Sequence, residues 1–214
     1  NWEYPGYIMG AGYADEDVIA ADYRGLSRLA KELSEALRSV DKIVTLAYYP
    51  DGKQEGLLRG TEAALMHAMS YDARGHHSPY SLAESTVDQA QRDRATLGLP
   101  FYGRDDRGNW YTYEDLVQDH ELAPDQDQVE GISFNGVSMI ERKVDLAITS
   151  GMAGVMIWEV GQDCRLEPVT HGFTTHEATC PFANASLLLA ISRTLRHRGR
   201  SRATYWRRPP PEEL

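Results

Sequence analysis

The chain has 214 residues and a formal net charge of −10, with 32 acidic residues against 22 lysines and arginines. An acidic body argues against nucleic acid as the main partner, and no apolar run is long enough to span a bilayer. The charge is uneven: seven arginines between Arg193 and Arg208 face Glu212 and Glu213, which puts the tail at +5 and the remainder at −15. The length suits one domain with a real core. The chain opens without an initiator Met or a signal peptide and reads as the C-terminal part of a longer protein.

The first five residues, Asn1-Trp2-Glu3-Tyr4-Pro5, set an acid after an aromatic and then close with Tyr-Pro. A proline ring cannot continue a central ladder, so this segment reads as the end of a strand that hands a carboxylate to a loop. Residues 5–20, rich in Gly, Tyr and Ala, read as that loop. Asp22 is placed to cap a helix over roughly 23–38, with Leu26, Leu29, Leu33 and Leu37 on one stripe. Lys42 to Tyr49 reads as a strand closed by Pro50-Asp51-Gly52, and Ala63 to Asp72 as another that ends in polar residues. Ser81 with Glu84 forms a capping box for a helix to about Ala95.

Thr96 to Arg104 reads as a strand that breaks at Pro100. Residues 105–137 form an acidic, aromatic insertion, with one or two helical turns from Thr112 to about Gln118. A second capping box, Ser138 with Glu141, opens a helix buried through Ile140, Val144 and Ala147 and closed at Gly151. Gly154 to Val160 reads as the last strand, and Leu187 to about Arg198 as a closing helix. Residues 199–214, basic and carrying Pro209-Pro210-Pro211, read as a disordered tail beyond a 1–198 body. Alternating strands and helices argue for a parallel sheet with helices outside.

Four segments carry a family resemblance. Asn1-Trp2-Glu3-Tyr4-Pro5 resembles the end of the D-x-x-D-x-D-x-E strand of the family 18 glycoside hydrolases, the chitinases, with Glu3 on the final acid. Ala68-Met69-Ser70-Tyr71-Asp72 resembles the family's M-x-Y-D strand. Leu97 to Arg104 resembles its G-x-P-F-Y-G-R strand, and Gly154 to Glu159 its G-x-M-x-W strand. Each is weak alone, and the four in family order are specific. The resemblance reaches Cys164. It implies an α/β fold: a partial TIM (β/α)8 barrel, strands four to eight, with a small insertion after strand seven. A complete barrel takes about 250 residues, so the N-terminal barrel half is expected upstream as the missing partner.

The resemblance also implies a mechanism. Family 18 enzymes retain anomeric configuration through substrate assistance, the sugar's own acetamido oxygen attacking the anomeric carbon. The enzyme then supplies one acid for the leaving oxygen, implied here to be Glu3. Tyr71 would donate to the acetamido carbonyl, with Asp72 beside it. Trp158 would form an apolar floor under the ring, and Met69, Tyr102, Arg104 and Tyr4 would line the subsite, Arg104 available to pair with Asp72. The substrate would be chitin or another N-acetylglucosamine polymer, with no cofactor. Other readings of the same residues stand beside these. A late-strand Trp also serves as core, Tyr71-Asp72 as a turn, and Gly103-Arg104 as a loop with a surface ion pair. His76-His77 reads as loop, with no third metal ligand at sensible spacing. Trp110, Tyr111 and Tyr113 either extend a sugar groove or pack the insertion.

Asn1 departs from the pattern, since the family has an aspartate there. An amide oxygen accepts the same hydrogen bond but carries no charge to balance the oxazolinium intermediate. One charge at about 4 Å is worth about 4 kcal/mol at an effective dielectric near 20, which approaches a thousandfold in rate. The expectation is a weaker enzyme with a more acidic optimum, and the alternative is a lectin-like relative that binds without turnover. The chitinase resemblance points outside the cell, to an extracellular or secretory/vacuolar protein. On that basis Cys164 and Cys180 are expected to pair, against the alternative of two free thiols. Asn184-Ala185-Ser186 is a glycosylation sequon, a pattern that also arises by chance.

Overall fold

The computed structural model describes residues 2–199. In chain order the elements are β1 (Tyr7–Ile8), β2 (Gly12–Tyr13), α1 (Glu16–Arg38), β3 (Thr45–Tyr48), α2 (Lys53–Leu57) and β4 (Leu65–Ala68). There follow α3 (Tyr80–Gln89), β5 (Ala95–Pro100), β6 (Tyr102–Arg104), β7 (Trp110–Thr112), α4 (Tyr113–Asp119), β8 (Gln128–Val129) and β9 (Ile132–Ser133). The chain continues with α5 (Val137–Thr149), β10 (Gly154–Trp158), β11 (Val169–His171), β12 (Thr174–His176) and α6 (Leu187–Gly199).

Strands β3, β4, β5 and β10 form one parallel sheet in the spatial order β10-β5-β4-β3. Parallel neighbours need a crossover, and each one here carries a helix: α2, then α3, then α5 behind the insertion. The register aligns Ala47 with His67 and His67 with Thr96, and Gly98 with Met156. Because side chains alternate along a strand, the other face carries Leu46, Tyr48, Met66, Ala68, Leu97 and Leu99. Those residues pack on the helices. Leu46, Tyr48 and Met66 meet Ile19, Tyr23 and Leu26 of α1, Leu97 meets Ala83, Val87 and Ala147, and Leu99 shares a core with Ile140 and Val144. The sheet thus has an outer face under helices and a second face turned away from them, the layering of part of a (β/α)8 barrel.

Several sequence expectations shift. The sheet has four parallel strands among the described residues, not five, since residues 2–4 carry no strand. Helix α1 starts at Glu16, so Asp22 lies inside it, where its carboxylate accepts from the Gly6 N–H at 2.7 Å. The buried stripe of α1 is Ile19, Tyr23, Leu26 and Ala30, while Leu29 and Leu33 are exposed. Neither expected capping box forms: Pro79 precedes α3 and Gly136 precedes α5, both without a side-chain cap. Pro100 stays in β5, opposite Trp158, and the strand breaks at Phe101. Beyond that point the chain enters the insertion, a second sheet ordered β7-β6-β9-β8. Its helix α4 is capped by Thr112, whose hydroxyl accepts from the Asp115 N–H at 3.0 Å.

Beyond β10, Cys164 and Cys180 are disulfide-bonded and bracket the β11–β12 hairpin. The Asp163 carboxylate accepts from the Leu187 and Leu188 N–H groups at 3.0 and 2.9 Å and from the Ser186 hydroxyl at 2.7 Å, which docks the start of α6. The sequon serine is therefore a structural residue, while Asn184 is exposed and accepts from Arg193 at 3.2 Å. Asn1 and the tail from residue 200 lie outside the described residues, and no described helix is long and apolar enough to cross a membrane.

Candidate active site

Met69, Tyr71 and Asp72 follow the C-terminal end of β4, Tyr102 and Arg104 follow that of β5, and Trp158 ends β10, the ends at which βα loops of a barrel carry chemistry. Glu3 and Tyr4 precede the first described strand. Beyond β4 the chain bends at Met69 and Tyr71, whose N–H groups bond to the carbonyls of Tyr48 and Met69 at 2.8 and 2.9 Å. Met69, Tyr71 and Tyr102 form one buried cluster, with Ala47, Tyr49 and Met156 against it. The Tyr71 ring fits there because residue 98 is glycine. A Cβ at Gly98 would stand 2.9 Å from Tyr71 Cε1 and 2.4 Å from the Ala68 carbonyl oxygen. The Tyr71 hydroxyl donates to Met156 Sδ at 3.8 Å, across the second face of the sheet. Burial pushes the Tyr71 phenol well above its ordinary value, and the charges of Asp72 and Glu3 add to the rise. Burial raises the Tyr4 phenol too, and the charge of the half-buried Glu3 adds to that rise.

Asp72 follows in a left-handed conformation, φ +62°, which a non-glycine residue seldom adopts. Its carboxylate accepts from the Tyr102 hydroxyl at 2.9 Å and the Arg104 guanidinium at 3.0 Å. The His77 Nδ1 lies 3.8 Å away, beyond hydrogen-bond distance. Burial alone would raise Asp72, but the His77 imidazole, the Tyr102 hydroxyl and the Arg104 guanidinium outweigh it and hold the carboxyl below its usual range. The Arg104–Asp72 pair anticipated from the sequence is thus present.

Trp158 ends β10 two residues past Met156, on the same face by strand alternation, and is 46% exposed. Its carbonyl accepts from the Phe101 N–H at 2.8 Å, tying the end of β10 to the start of the insertion. Trp110, 49% exposed, stacks on Tyr102 with centroids 4.3 Å apart and planes 12° apart, and Arg104 lies 5.2 Å from its ring. Tyr4 is exposed beside Tyr7, centroids 5.8 Å apart. Met69, Tyr71 and Tyr102 are thus in contact, and Asp72 bonds to Tyr102 and Arg104, while Trp158 shares the sheet face of Met156. A cavity of about 330 Å³ lies elsewhere, within the insertion, lined by Asp105, Asp115, His120 and Glu130 among others.

The family profile described as "Glycosyl hydrolases family 18" matches residues 1–163. The chain belongs to glycoside hydrolase family 18. Solved structures agree with the fold. The family 18 chitinase of Flavobacterium johnsoniae is 24% identical, with a TM-score of 0.61 over 84% of this chain and 57% of that one. A mutant of catalytic domain 2 of the Ostrinia furnacalis Group II chitinase, solved with penta-N-acetylchitooctaose, is 16% identical, with a TM-score of 0.66 over 98% and 67%. The chitinase-like agglutinin of Robinia pseudoacacia is 17% identical, with a TM-score of 0.58 over 90% and 66%. No curated protein sequence matches. The chain spans about three fifths of the length of the first chitinases it resembles.

Gly98 opens the G-x-P-F-Y-G-R segment, and its packing role against the Tyr71 ring emerges only in the fold. His77 carried no sequence signal. His77, 1% exposed, reads as loop, yet its ring lies 4.9 Å from that of Tyr102, with both ring nitrogens unpartnered. Trp110 stacks on Tyr102 and is half-exposed, whereas Tyr113 packs in the core of the insertion.

Proposed function

We propose that this chain supplies the catalytic end of a retaining, substrate-assisted glycosidase acting on β-1,4-linked N-acetylglucosamine polymers. The observation that carries the reading is the corner after β4, where Asp72 accepts from Tyr102 and Arg104 beside the buried Tyr71, in a chain whose Glu3 falls on the family's acid position. Glu3 protonates the leaving glycosidic oxygen while the acetamido oxygen closes on the anomeric carbon. Water later opens the oxazolinium ion, Glu3 taking back the proton. The raised Tyr71 phenol stays protonated and donates to the acetamido carbonyl. Asp72, fixed by Arg104 and Tyr102, holds negative charge beside it. Trp158 offers its exposed face to the sugar ring, with Met69, Tyr102 and Tyr4 along the wall.

The disulfide supports an extracellular or secretory/vacuolar location, and the exposed Asn184 is positioned to carry a glycan. An N-terminal barrel half is the natural partner of the sheet. Asn1 favours a second reading, a chitin-binding relative with little turnover, because the amide supplies no charge to the intermediate. Hydrolysis of a fluorogenic chitooligosaccharide by the intact protein that contains this chain separates the two. Wild-type turnover that Glu3→Gln abolishes supports the enzyme. Binding without turnover, with activity gained in Asn1→Asp, supports the lectin-like reading.

A further inference from the structure

Lys143 is buried, 0% exposed, in the middle of α5. Its ammonium reaches three acceptors, each at 2.7 Å: the Ser78 carbonyl, the Ser78 hydroxyl and the Asn135 side-chain oxygen. The Ser78 hydroxyl spends its hydrogen on the Ser70 carbonyl at 2.8 Å, so toward Lys143 it accepts. The Asn135 amide donates to the carbonyls of Ser78 and Phe134 at 2.9 and 3.1 Å, so its oxygen also accepts. Three acceptors need three N–H groups, which only the charged lysine has. Burial pushes Lys143 down to about 7, while the charge of Asp127 acts in the opposite direction. The polar partners seen at its Nζ are neutral oxygens, and an ammonium held that way costs several kcal/mol of desolvation. A plain apolar residue would fill this place in the core more cheaply.

What the ammonium grips is the base of one loop. Ser70 and Ser78 close residues 70–78 into a ring through the hydroxyl–carbonyl bond already noted. Ser70 is tied in turn to the Gly98 carbonyl at 2.8 Å. Inside the ring the Ala73 N–H bonds to the His77 carbonyl at 2.9 Å, and the His77 N–H donates to the Ser133 hydroxyl at 3.1 Å. The ring carries Tyr71, and Asp72 in its left-handed conformation.

We propose that Lys143 is a positioning residue: its charged amine locks loop 70–78 to α5 and so holds Asp72 against Arg104 and Tyr102. The proposal rests on reading Asp72 as a site residue, but its test does not depend on turnover. In the intact protein containing this chain, carboxyl NMR follows the Asp72 titration, assigned by its loss in Asp72→Asn. Lys143→Met is expected to stay folded, to move the Asp72 midpoint up toward the ordinary carboxylate range, and to lower kcat about tenfold or more with little change in KM. A folded Lys143→Met with the wild-type Asp72 midpoint and wild-type kcat, whatever its melting temperature, overturns the proposal. Should Lys143→Met not fold, Ser78→Ala removes the hydroxyl link at the loop base and is read the same way. In the wild type alone, a lysine Nζ resonance of a slowly exchanging ammonium is expected at pH 6, below the midpoint of about 7, and a neutral amine at that pH contradicts the lock. A wild type that hydrolyses nothing refutes the proposed activity and leaves the Asp72 titration to decide this inference.

Discussion

At the scale of single residues the site is a set of charges and hydrogen bonds held where solvent reaches only part of them. Asp72 shows the principle. Its carboxyl is held below the ordinary range because the stabilisation from His77, Tyr102 and Arg104 exceeds the penalty of burial. A depressed folded-state value means that the contribution of Asp72 to stability is present above the unfolded-state pKa, about 3.9. It is lost as pH falls through the folded-state value. Removing the guanidinium in Arg104→Met should bring the Asp72 midpoint up and start acid unfolding at a higher pH than in the wild type. A circular-dichroism titration from pH 7 to pH 2 reads this, and coincident acid limbs for the two proteins would contradict it. The family resemblance made this pair legible, through the segments that end in Tyr71-Asp72 and Gly103-Arg104. It did not make His77 or Lys143 legible, because their partners, Tyr102 and Ser78, become neighbours only through the packing of α5 and the insertion.

At the scale of elements, close approach between strands decides what fits. Gly98 lies in β5 with both neighbours close, and an added methyl would meet the Ala68 carbonyl at 2.4 Å and the Tyr71 ring at 2.9 Å. The carbonyl is backbone and cannot yield as a side chain can. Gly98→Ala should cost about 1–3 kcal/mol of stability and displace the Tyr71 ring. Chemical denaturation with near-ultraviolet circular dichroism would read both effects, and an unchanged midpoint and aromatic spectrum would refute the packing argument. Strands were the legible elements here because each ends in a short motif that its place in the sheet demands. Helix starts were not. The Ile19 turn of α1 lies inside residues 5–20, a stretch whose Gly and Tyr content reads as loop. The Ser-x-x-Glu pairs sit one to two residues inside α3 and α5, which begin after Pro79 and Gly136 without side-chain caps.

At the scale of the molecule, the four-stranded parallel sheet has its outer face under helices and a second face lined by Ala47, His67, Thr96 and Met156. Strand β10 is only half-buried, against full burial along β5. Sheet edges of this kind template pairing with other chains. On its own the 214-residue chain should therefore melt broadly and aggregate, and co-expression with an N-terminal barrel half should restore solubility. A sharp, reversible, cooperative melt of the chain alone would contradict this. The barrel was foreseen from the alternation of elements together with the four motifs. The insertion sheet was not, because its strands are only two or three residues long and carry no periodic signal of their own.

The proposed turnover depends on one proton donor and on a nucleophile that belongs to the sugar. Proton NMR of freshly released product during hydrolysis of a chitooligosaccharide by the intact protein tests both together. The expected result is the β-anomer first, decaying to the equilibrium mixture, and no product from Glu3→Gln. An α-anomer first, or a Glu3→Gln protein as fast as the wild type, would contradict it.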